Sequence, residues 1–501
     1  MRALLVTSAG VTCAMALTLP LATSATAAPA PDLHSASSRP PSTSPASPGA
    51  GPPAVRAGAA EPAGSTQSLP LAPLAASSDR VAGAPAAQGL PQRDARPFSL
   101  VGVVWDDPEA ELHGTVQVRT RTTGTTRWSE WQDIETHDAE HAADLGSAER
   151  EGRTVRGATA PLWVGDSDGV EVRVRPRSPE ASDHHEHAEP SDHHGSAQPQ
   201  DRAATPVPLP EGLRLELVDP GEDPAPEPAR SAPTGRAAVT PAVFADTPPT
   251  AAVLPEALTA EVAAASAVNA ELAELGATAI PALTQKETLE SVNAAPGAKP
   301  YIGPRPKIIT RKGWGADEKL RERNFAYTKT VKAAFVHHSA TGNNYTCKQA
   351  PSVLRSIYRY HVKSSGWRDF GYNFAVDKCG NIYEGRAGGV SKAVLGAHTL
   401  GFNTNTMGIA VLGSYGSTNP PAAAVTAVSK LTAWKLGLFG ANPKGKVTLV
   451  SGGSNKYKAG VKVSMNVISG HRDGFATECP GARLYKKLGT ARTSSAKLQG
   501  R

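Results

Sequence analysis

The pattern of hydrophobic and polar residues divides the chain into regularly patterned stretches and long stretches without a pattern. Between residues 96 and 219, short runs of β-branched residues are separated by turn residues, which is typical of β-strands. Examples are Ser99–Trp105, Thr115–Arg119 and Val170–Val174, and Leu213–Leu217 supplies a last strand. The pattern predicts a small all-β domain. Its Trp128 and Trp131 either stack on sugar rings or pack in the core, and the core is favoured.

Residues 301 to 490 show a different pattern, in which strands alternate with helices. The predicted strands are Ala333–Ser339, Tyr372–Val376, Asn381–Arg386, Gly396–Thr399 and Gly408–Gly413, and the predicted helices are Pro351–Val362 and Pro421–Leu438. Such alternation predicts an α/β domain with a mixed β-sheet flanked by helices.

The remaining segments are predicted to be linkers. Residues 29 to 95 are rich in Ala, Pro, Ser and Gly, a composition that buries too little apolar surface to offset chain entropy. Residues 220 to 300 form a second linker, in which Ala257–Leu275 has a helical spacing. Residues 183 to 203 are a histidine-rich insertion that either binds metal loosely or is simply solvated, with solvation favoured. Residues 491 to 501 form a short tail.

The first 28 residues have the pattern of a secretory signal peptide. Arg2 precedes a mostly apolar run, Ala3–Leu21, and small residues follow at Ala25–Ala28. A retained membrane anchor is the alternative, but Thr, Ser and Pro residues interrupt the apolar run. We therefore expect a secreted protein, extracellular or associated with the cell wall, without stable membrane insertion.

Three cysteines remain after the signal peptide: Cys347, Cys379 and Cys479. Disulfides persist outside the cell, so an odd number of cysteines leaves one to be explained. Cys347 and Cys379 flank one predicted helix and hairpin, and a bridge between them would contribute roughly 3 kcal/mol. Cys479 would then remain free to bind a metal ion.

Charge distinguishes the α/β domain from the rest of the chain. Residues 301 to 501 hold 31 Lys and Arg against 8 Asp and Glu, a net charge of +23, whereas the preceding 300 residues carry −17. A domain this basic is attracted to polyanions. For an exported protein, anionic cell-wall polymers are more plausible partners than nucleic acid.

Candidate metal-binding residues cluster late in the chain. His471 and Cys479 lie in a loop-like stretch punctuated by Gly and Pro. Taken alone, such residues are usually a capping histidine and a small buried hydrophobe. The His337–His338 pair at the end of a predicted strand supplies a third candidate, and alternation along the strand allows only one of the two to be an inner ligand. Two imidazoles and a thiolate with one open position indicate a catalytic zinc, one per chain.

Seven motifs occur together in this part of the chain. They are Val336-His337-His338-Ser339-Ala340, Gly366-Trp367 with Asp369, Gly371-Tyr372-Asn373-Phe374, Tyr383-Glu384-Gly385-Arg386, Gly396-Ala397-His398-Thr399, Gly470-His471-Arg472-Asp473 and Cys479-Pro480-Gly481. In this order they resemble the peptidoglycan recognition protein family, which includes the phage-type zinc-dependent N-acetylmuramoyl-L-alanine amidases. The resemblance covers about residues 307 to 488.

The resemblance implies roles for individual residues. The zinc ligands would be His337, His471 and Cys479, and Tyr372 would assist catalysis beside the metal. Thr477 falls where some members place a catalytic lysine, so that role would be altered or weakened here. Four further residues would line the substrate cleft: His361, Arg386, His398 and Asn403.

Three functions follow as hypotheses. The favoured one is a secreted zinc amidase that cuts the amide bond between N-acetylmuramic acid and L-alanine in peptidoglycan. The second is a non-catalytic peptidoglycan-binding protein, which is disfavoured because non-catalytic relatives lose the metal-binding cysteine. The third is a structural zinc domain, which would need a fourth protein ligand, with His338 or His398 as the nearby candidates.

Overall fold

The computed structural model describes residues 64–74, 87–136, 141–147, 149–177, 207–224, 258–292 and 300–501. The predicted signal peptide and the histidine-rich insertion lie outside these ranges. Within them, the helices are all too short or too polar to cross a membrane.

The first part of the chain folds into antiparallel strands. These are β1 Ser65–Pro70, β2 Ala72–Pro73, β3 Gln88–Trp105, β4 Gly114–Thr122, β5 Gln132–Ile134, β6 Gly157–Ala158, β7 Leu162–Pro176 and β8 Arg214–Asp219. Their order in the sheet is β1-β8-β3-β7-β4-β5, with β2 and β6 pairing with β3. The predicted all-β domain is confirmed, and we call it the β-domain.

The β-domain begins earlier than the sequence pattern predicts. Strand β1 lies inside the predicted linker and pairs with β8 over six residues, from Ser65 opposite Asp219 to Pro70 opposite Arg214. Strand β3 begins at Gln88, also upstream of the predicted start. Added strands are held by backbone hydrogen bonds, which Ala- and Pro-rich composition does not reveal.

Trp128 and Trp131 do not pack in the core of the β-domain. Both are half-buried, and the guanidinium groups of Arg119 and Arg173 lie 5.1 and 3.9 Å from the ring of Trp131. Arginine stacking on indole faces is favourable at exposed sites, which explains why apolar rings remain at the surface here.

The second part of the chain is the α/β domain. Its sheet contains β9 Ala279–Ile280, β10 Ile308–Ile309, β11 Ala333–His338, β12 Phe374–Val376, β13 Ile382–Glu384, β14 Thr406–Val411 and β17 Ile468–Gly470, and a separate hairpin is formed by β15 Lys446–Val450 and β16 Lys462–Asn466. The helices are α1 Ala260–Ala267, α2 Gln285–Ser291, α3 Arg311–Trp314, α4 Ala350–Arg359, α5 Ala422–Leu438, α6 His471–Gly474, α7 Ala482–Tyr485 and α8 Leu488–Gln499.

The strand order of this sheet is β17-β11-β14-β12-β13-β10-β9. Strand β11 is parallel to both of its neighbours, β14 and β17. All six residues of β11 are buried, as expected for a parallel strand covered on both faces. The mixed sheet with flanking helices predicted from the sequence is confirmed.

Three details differ from the predicted elements. Residues 258–292, predicted as linker, contribute β9, whose Ile280 is fully buried and pairs with Ile308 of β10. The predicted strand at 396–399 is irregular backbone. Helix α8 extends through most of the predicted tail because Ala491 and Ala496 pack against the domain.

A disulfide links Cys347, just before α4, to Cys379, in the turn between β12 and β13, and Cys479 is the free cysteine among the described residues. The bridge joins the start of a core helix to the sheet.

The two domains share a hydrophobic core. One cluster of buried residues joins Leu100 and Val218 of the β-domain to Val353 and Ile357 of helix α4. Tyr360, directly after α4, is fully buried and donates a hydrogen bond from its hydroxyl group to the Thr159 carbonyl oxygen of the β-domain at 3.0 Å. The β-domain is therefore packed firmly against the α/β domain.

Candidate metal centre at the domain interface

Two parallel strands bring His337 and His471 together. Val336 of β11 is paired with Gly470 of β17, so the residues that follow, His337 and His471, leave the same edge of the sheet. Their ring centroids lie 4.6 Å apart, and both side chains are fully buried. Parallel pairing thus explains how residues more than a hundred positions apart meet.

Cys479 approaches this pair from the loop after α6. Its Sγ lies 3.8 Å from His337 Nδ1, and the side chain is 3 % exposed. The Cys479 backbone N–H donates to Thr477 Oγ1 at 3.1 Å, and the Arg472 N–H donates to the Cys479 carbonyl oxygen at 3.0 Å. Thr477 thus holds the turn that presents the thiol. It also lines a cavity of about 590 Å³ beside Cys479.

A fourth side chain, missed by the sequence analysis, belongs to the β-domain. His141 Nε2 lies 3.2 Å from His471 Nδ1, and its ring centroid is 5.3 Å from that of His337. The ligand atoms of His141, His337, His471 and Cys479 all lie within 4.8 Å of one another. His141 sits in a polar, aperiodic segment 330 residues before its partner, so no sequence pattern linked the two.

The donor set and its spacing fit zinc. Zn–N bonds of about 2.0–2.1 Å and a Zn–S bond of about 2.3 Å in a tetrahedron require N–N separations near 3.3 Å and N–S separations near 3.6 Å. The 3.2 Å between His471 and His141 and the 3.8 Å between His337 and Cys479 are close to these values. Three imidazoles and one thiolate are also the ligand types that zinc prefers.

The surroundings favour the protonation states that metal ligands need. Burial, followed by the neighbouring histidines, lowers the pKa of His337 well below its ordinary value. Burial raises the pKa of the Cys479 thiol, but His338 and His141 outweigh it and hold that pKa below its ordinary value. A neutral imidazole and a thiolate are the forms that coordinate a metal ion.

His338 lies beside Cys479, but its ring nitrogens are not among the ligand atoms that lie within 4.8 Å of one another. Its Nε2 lies 3.3 Å from the Glu135 carboxylate, and its Nδ1 accepts a hydrogen bond from the Tyr415 N–H at 3.4 Å. Burial opposes its charge, but Cys479 and Glu135 raise its pKa to about 10. Only one histidine of the pair joins the cluster, as strand alternation predicts.

Tyr372 lies next to the cluster. Its ring centroid is 5.2 Å from that of His337 and 5.8 Å from that of His141, and the side chain is 3 % exposed. Tyr372 lies two residues before β12, whose pairing with β14 fixes the backbone. The Tyr372 ring thus packs beside two of the clustered histidines.

Two of the residues predicted to line the cleft are buried around the cluster. His361 stacks on Trp367 at 4.4 Å, and its Nδ1 accepts a hydrogen bond from the Gly371 N–H at 3.2 Å. His398 lies 5.4 Å from the His337 ring, and burial lowers its pKa to about 3. Both rings pack against the site as neutral groups.

The other two, Arg386 and Asn403, are engaged by the β-domain. Arg386 Nη1 lies 2.6 Å from the Glu149 carboxylate, and both side chains are almost completely buried. Asn403 Nδ2 donates a hydrogen bond to Asp144 Oδ1 at 2.7 Å. Residues expected to meet substrate therefore meet acidic side chains of the same chain.

Comparison with known proteins identifies two domains. Residues 53–205 match the model described as Rv3811 N-terminal galactose-binding domain-like. Residues 327–482 match the model described as N-acetylmuramoyl-L-alanine amidase.

Peptidoglycan-recognition protein SC2 of Drosophila melanogaster is 31% identical over 185 residues, which are 36% of this chain and 85% of that protein. The chain belongs to the peptidoglycan recognition protein family. An N-acetylmuramoyl-L-alanine amidase of Homo sapiens is 31% identical over 189 residues, which are 37% of this chain and 28% of that protein. The amidase domain of this family member therefore matches only part of the human enzyme.

Solved structures of the peptidoglycan recognition protein family are also similar to this chain. Drosophila PGRP-LB is 25% identical, with a TM-score of 0.29, over 36% of this chain and 92% of that one. Peptidoglycan recognition protein LE, solved in complex with tracheal cytotoxin, is 29% identical, with a TM-score of 0.29, over 36% of this chain and 92% of that one.

Proposed function

We propose that this protein is a secreted zinc-dependent amidase that hydrolyses the amide bond between N-acetylmuramic acid and L-alanine in peptidoglycan. The observation that carries the proposal is the buried cluster of His337, His471 and Cys479 at the edge of the sheet. Membership of the family supports peptidoglycan as the substrate class. Secretion rests on the signal-like N-terminal sequence.

His337, His471 and Cys479 would hold the zinc ion. Zinc bound there supplies Lewis-acid chemistry, because it acidifies water and polarises a carbonyl group. Amides need this help because water is a poor nucleophile and the tetrahedral oxyanion is unstable.

Tyr372 would stabilise the oxyanion that develops on the amide. A phenol is neutral at pH 7 and can donate a hydrogen bond, and the Tyr372 ring lies 5.2 Å from that of His337. Packing against His337, His141 and His361 fixes the ring. A donor held in place before the reaction needs little reorganisation in the transition state.

Thr477 would act through Cys479 rather than on the substrate, since its hydroxyl oxygen accepts the Cys479 N–H. The cleft-lining roles of Arg386 and Asn403 would require that the acidic groups now bound to them be displaced.

Mass spectrometry of muropeptides tests the proposal. Purified peptidoglycan is incubated with the zinc-loaded full-length chain, with its His141→Ala variant and with its Cys479→Ser variant, each with and without a chelator. We expect the wild-type chain or its His141→Ala variant to release free stem peptides that begin with L-alanine. A chelator and the Cys479→Ser substitution should each abolish this release. If neither the wild-type chain nor His141→Ala releases such peptides, the amidase function is refuted, and binding of intact muropeptides would then favour the recognition protein.

A further inference from the structure

Part of the chain between β5 and β6 lies against the candidate active site. Residues 141–147 and 149–156 contact the metal cluster and the residues around it, and β6 follows at Gly157. We call these residues the occluding loop. Three of its side chains enter the site, at three different points.

The first point is the metal cluster. A zinc site with three protein ligands keeps one position for water or substrate, whereas a site with four is closed. His141 brings the number of candidate ligands to four, and it is 4 % exposed. The fourth candidate is thus neither His338 nor His398, as the sequence suggested, but a histidine from the other domain.

The second point is the Gly401–Asn403 turn. Asp144 Oδ1 accepts hydrogen bonds from the Gly401 N–H at 2.7 Å and from Asn403 Nδ2 at 2.7 Å. The Asn403 side chain also donates to the Ala142 carbonyl oxygen at 3.1 Å. The same Asn403 fixes the His398 backbone through its Oδ1, so the loop is attached to the frame of the site.

The third point is Arg386. Its guanidinium forms an ion pair with Glu149 at 2.6 Å, with side-chain exposures of 5% and 6%. Buried charges of this kind are found paired, because an isolated one is costly. Glu149 therefore neutralises a cation that would otherwise attract a carboxylate in a bound peptide.

Backbone contacts hold the loop between and beyond these points. Arg368 donates to the carbonyl oxygens of Glu149 and Glu151 at 2.8 and 2.9 Å. Arg153 donates to the Trp367 carbonyl oxygen at 3.0 Å, and the Arg156 N–H donates to that of Ser365 at 3.1 Å. Among the described residues of the loop, contacts with the α/β domain therefore extend from His141 to Arg156.

We propose that the occluding loop acts as an internal pseudosubstrate, with His141 as a fourth zinc ligand and with Asp144 and Glu149 in place of the carboxylates of a peptidoglycan stem peptide. The proposal rests on the proposed function. Because the loop is tethered at both ends, it competes with substrate as an intramolecular ligand at high effective concentration. The chain is then latent, and cleavage requires the loop to withdraw.

Cobalt(II) substitution tests the closure of the site independently of activity. The full-length chain is loaded with Co²⁺, and its visible absorption is recorded while azide is added, because azide binds only where a coordination position is accessible. The same titration is run on His141→Ala and on Asp144→Asn/Glu149→Gln, which keeps His141 but removes the loop's anchoring charges. Glu151→Gln is the matched control, since Glu151 is an exposed acid of the same loop.

Opening the site should raise the apparent affinity for azide in proportion to the fraction of molecules whose site is open. We expect azide to bind at least about tenfold more tightly to His141→Ala and to the double variant than to wild type, and Glu151→Gln to behave as wild type. Cleavage of muropeptides should rise by a similar factor in the double variant.

Three results would overturn the inference. Equal azide affinity in wild type and in His141→Ala means that the site is already open. Loss of bound cobalt together with loss of folded structure in His141→Ala means that His141 belongs to a structural metal site. If azide access opens as expected but no variant releases stem peptides, the loop proposal holds and the amidase function fails. If the wild-type chain already cleaves muropeptides as fast as the double variant, the amidase function holds and the loop proposal fails.

Discussion

The packing of the β-domain on the α/β domain can be tested at Gly102. This residue lies in β3 opposite Glu216. A Cβ atom added to Gly102 would lie 2.4 Å from the hydroxyl oxygen of Tyr360 and 2.6 Å from two of its ring carbons. Gly102→Ala therefore forces either the strand or the tyrosine to move.

The size of the effect follows from what Tyr360 would lose. Its ring is fully buried, and its hydroxyl group donates to the Thr159 carbonyl oxygen at 3.0 Å. Overpacking a core costs about 1–3 kcal/mol, and a lost hydrogen bond adds about 0.5–1.5 kcal/mol. We expect Gly102→Ala to lower the free energy of unfolding by about 2–4 kcal/mol.

The free energy of unfolding is measured by urea denaturation of the full-length chain, with far-UV circular dichroism and tryptophan fluorescence as the two probes. Because the core is shared, the two probes should report one transition. The decisive control is the Tyr360→Leu background, where the clashing ring is absent and Gly102→Ala should cost less than about 1 kcal/mol. Additive effects of the two substitutions would refute the contact between the domains at this point.

Three further predictions concern the α/β domain. Tyr372→Phe should leave zinc content unchanged and lower the turnover rate by about 10²-fold or more, since it removes only an oxyanion donor; unchanged kinetics on a muropeptide, measured in wild type and in Asp144→Asn/Glu149→Gln, would exclude Tyr372 from the mechanism. Association with cell walls should weaken between 0.1 and 1 M salt, because residues 301 to 501 carry +23 and the Debye length falls from about 10 to about 3 Å. If equal amounts of the protein sediment with cell walls at both salt concentrations, sugar or peptide contacts are indicated instead. Non-reducing peptide mapping of secreted protein should recover Cys347 bridged to Cys379 with Cys479 unmodified, and a disulfide containing Cys479 would contradict its role as a ligand.

The sequence was informative where function depends on local motifs and on regular strands. His471 and Cys479 lie close together in the chain, and the buried run of β11 ends in His337, so parallel pairing of β11 and β17 was enough to bring them together. Of the two histidines at the end of β11, only His337 belongs to the group of clustered ligand atoms, as alternation along the strand predicts.

The sequence was less informative where function depends on domain packing. His141 meets His471 across 330 residues, and neither residue carries a periodic pattern that identifies its partner. Strand β1 was hidden because its ladder with β8 uses backbone groups, to which an Ala- and Pro-rich composition gives no clue. The family resemblance predicts Arg386 and Asn403 as cleft residues, but their acidic partners Glu149 and Asp144 are visible only in three dimensions.

X-ray absorption at the zinc edge of the full-length chain tests whether both domains supply ligands to one zinc centre. We expect one sulfur at about 2.3 Å and three nitrogens at about 2.0–2.1 Å from the zinc ion. In His141→Ala one nitrogen should be replaced by an oxygen ligand while the sulfur remains, and in Cys479→Ser the sulfur should disappear. A zinc shell without sulfur in the wild-type chain, or a shell unchanged in His141→Ala, would contradict the account.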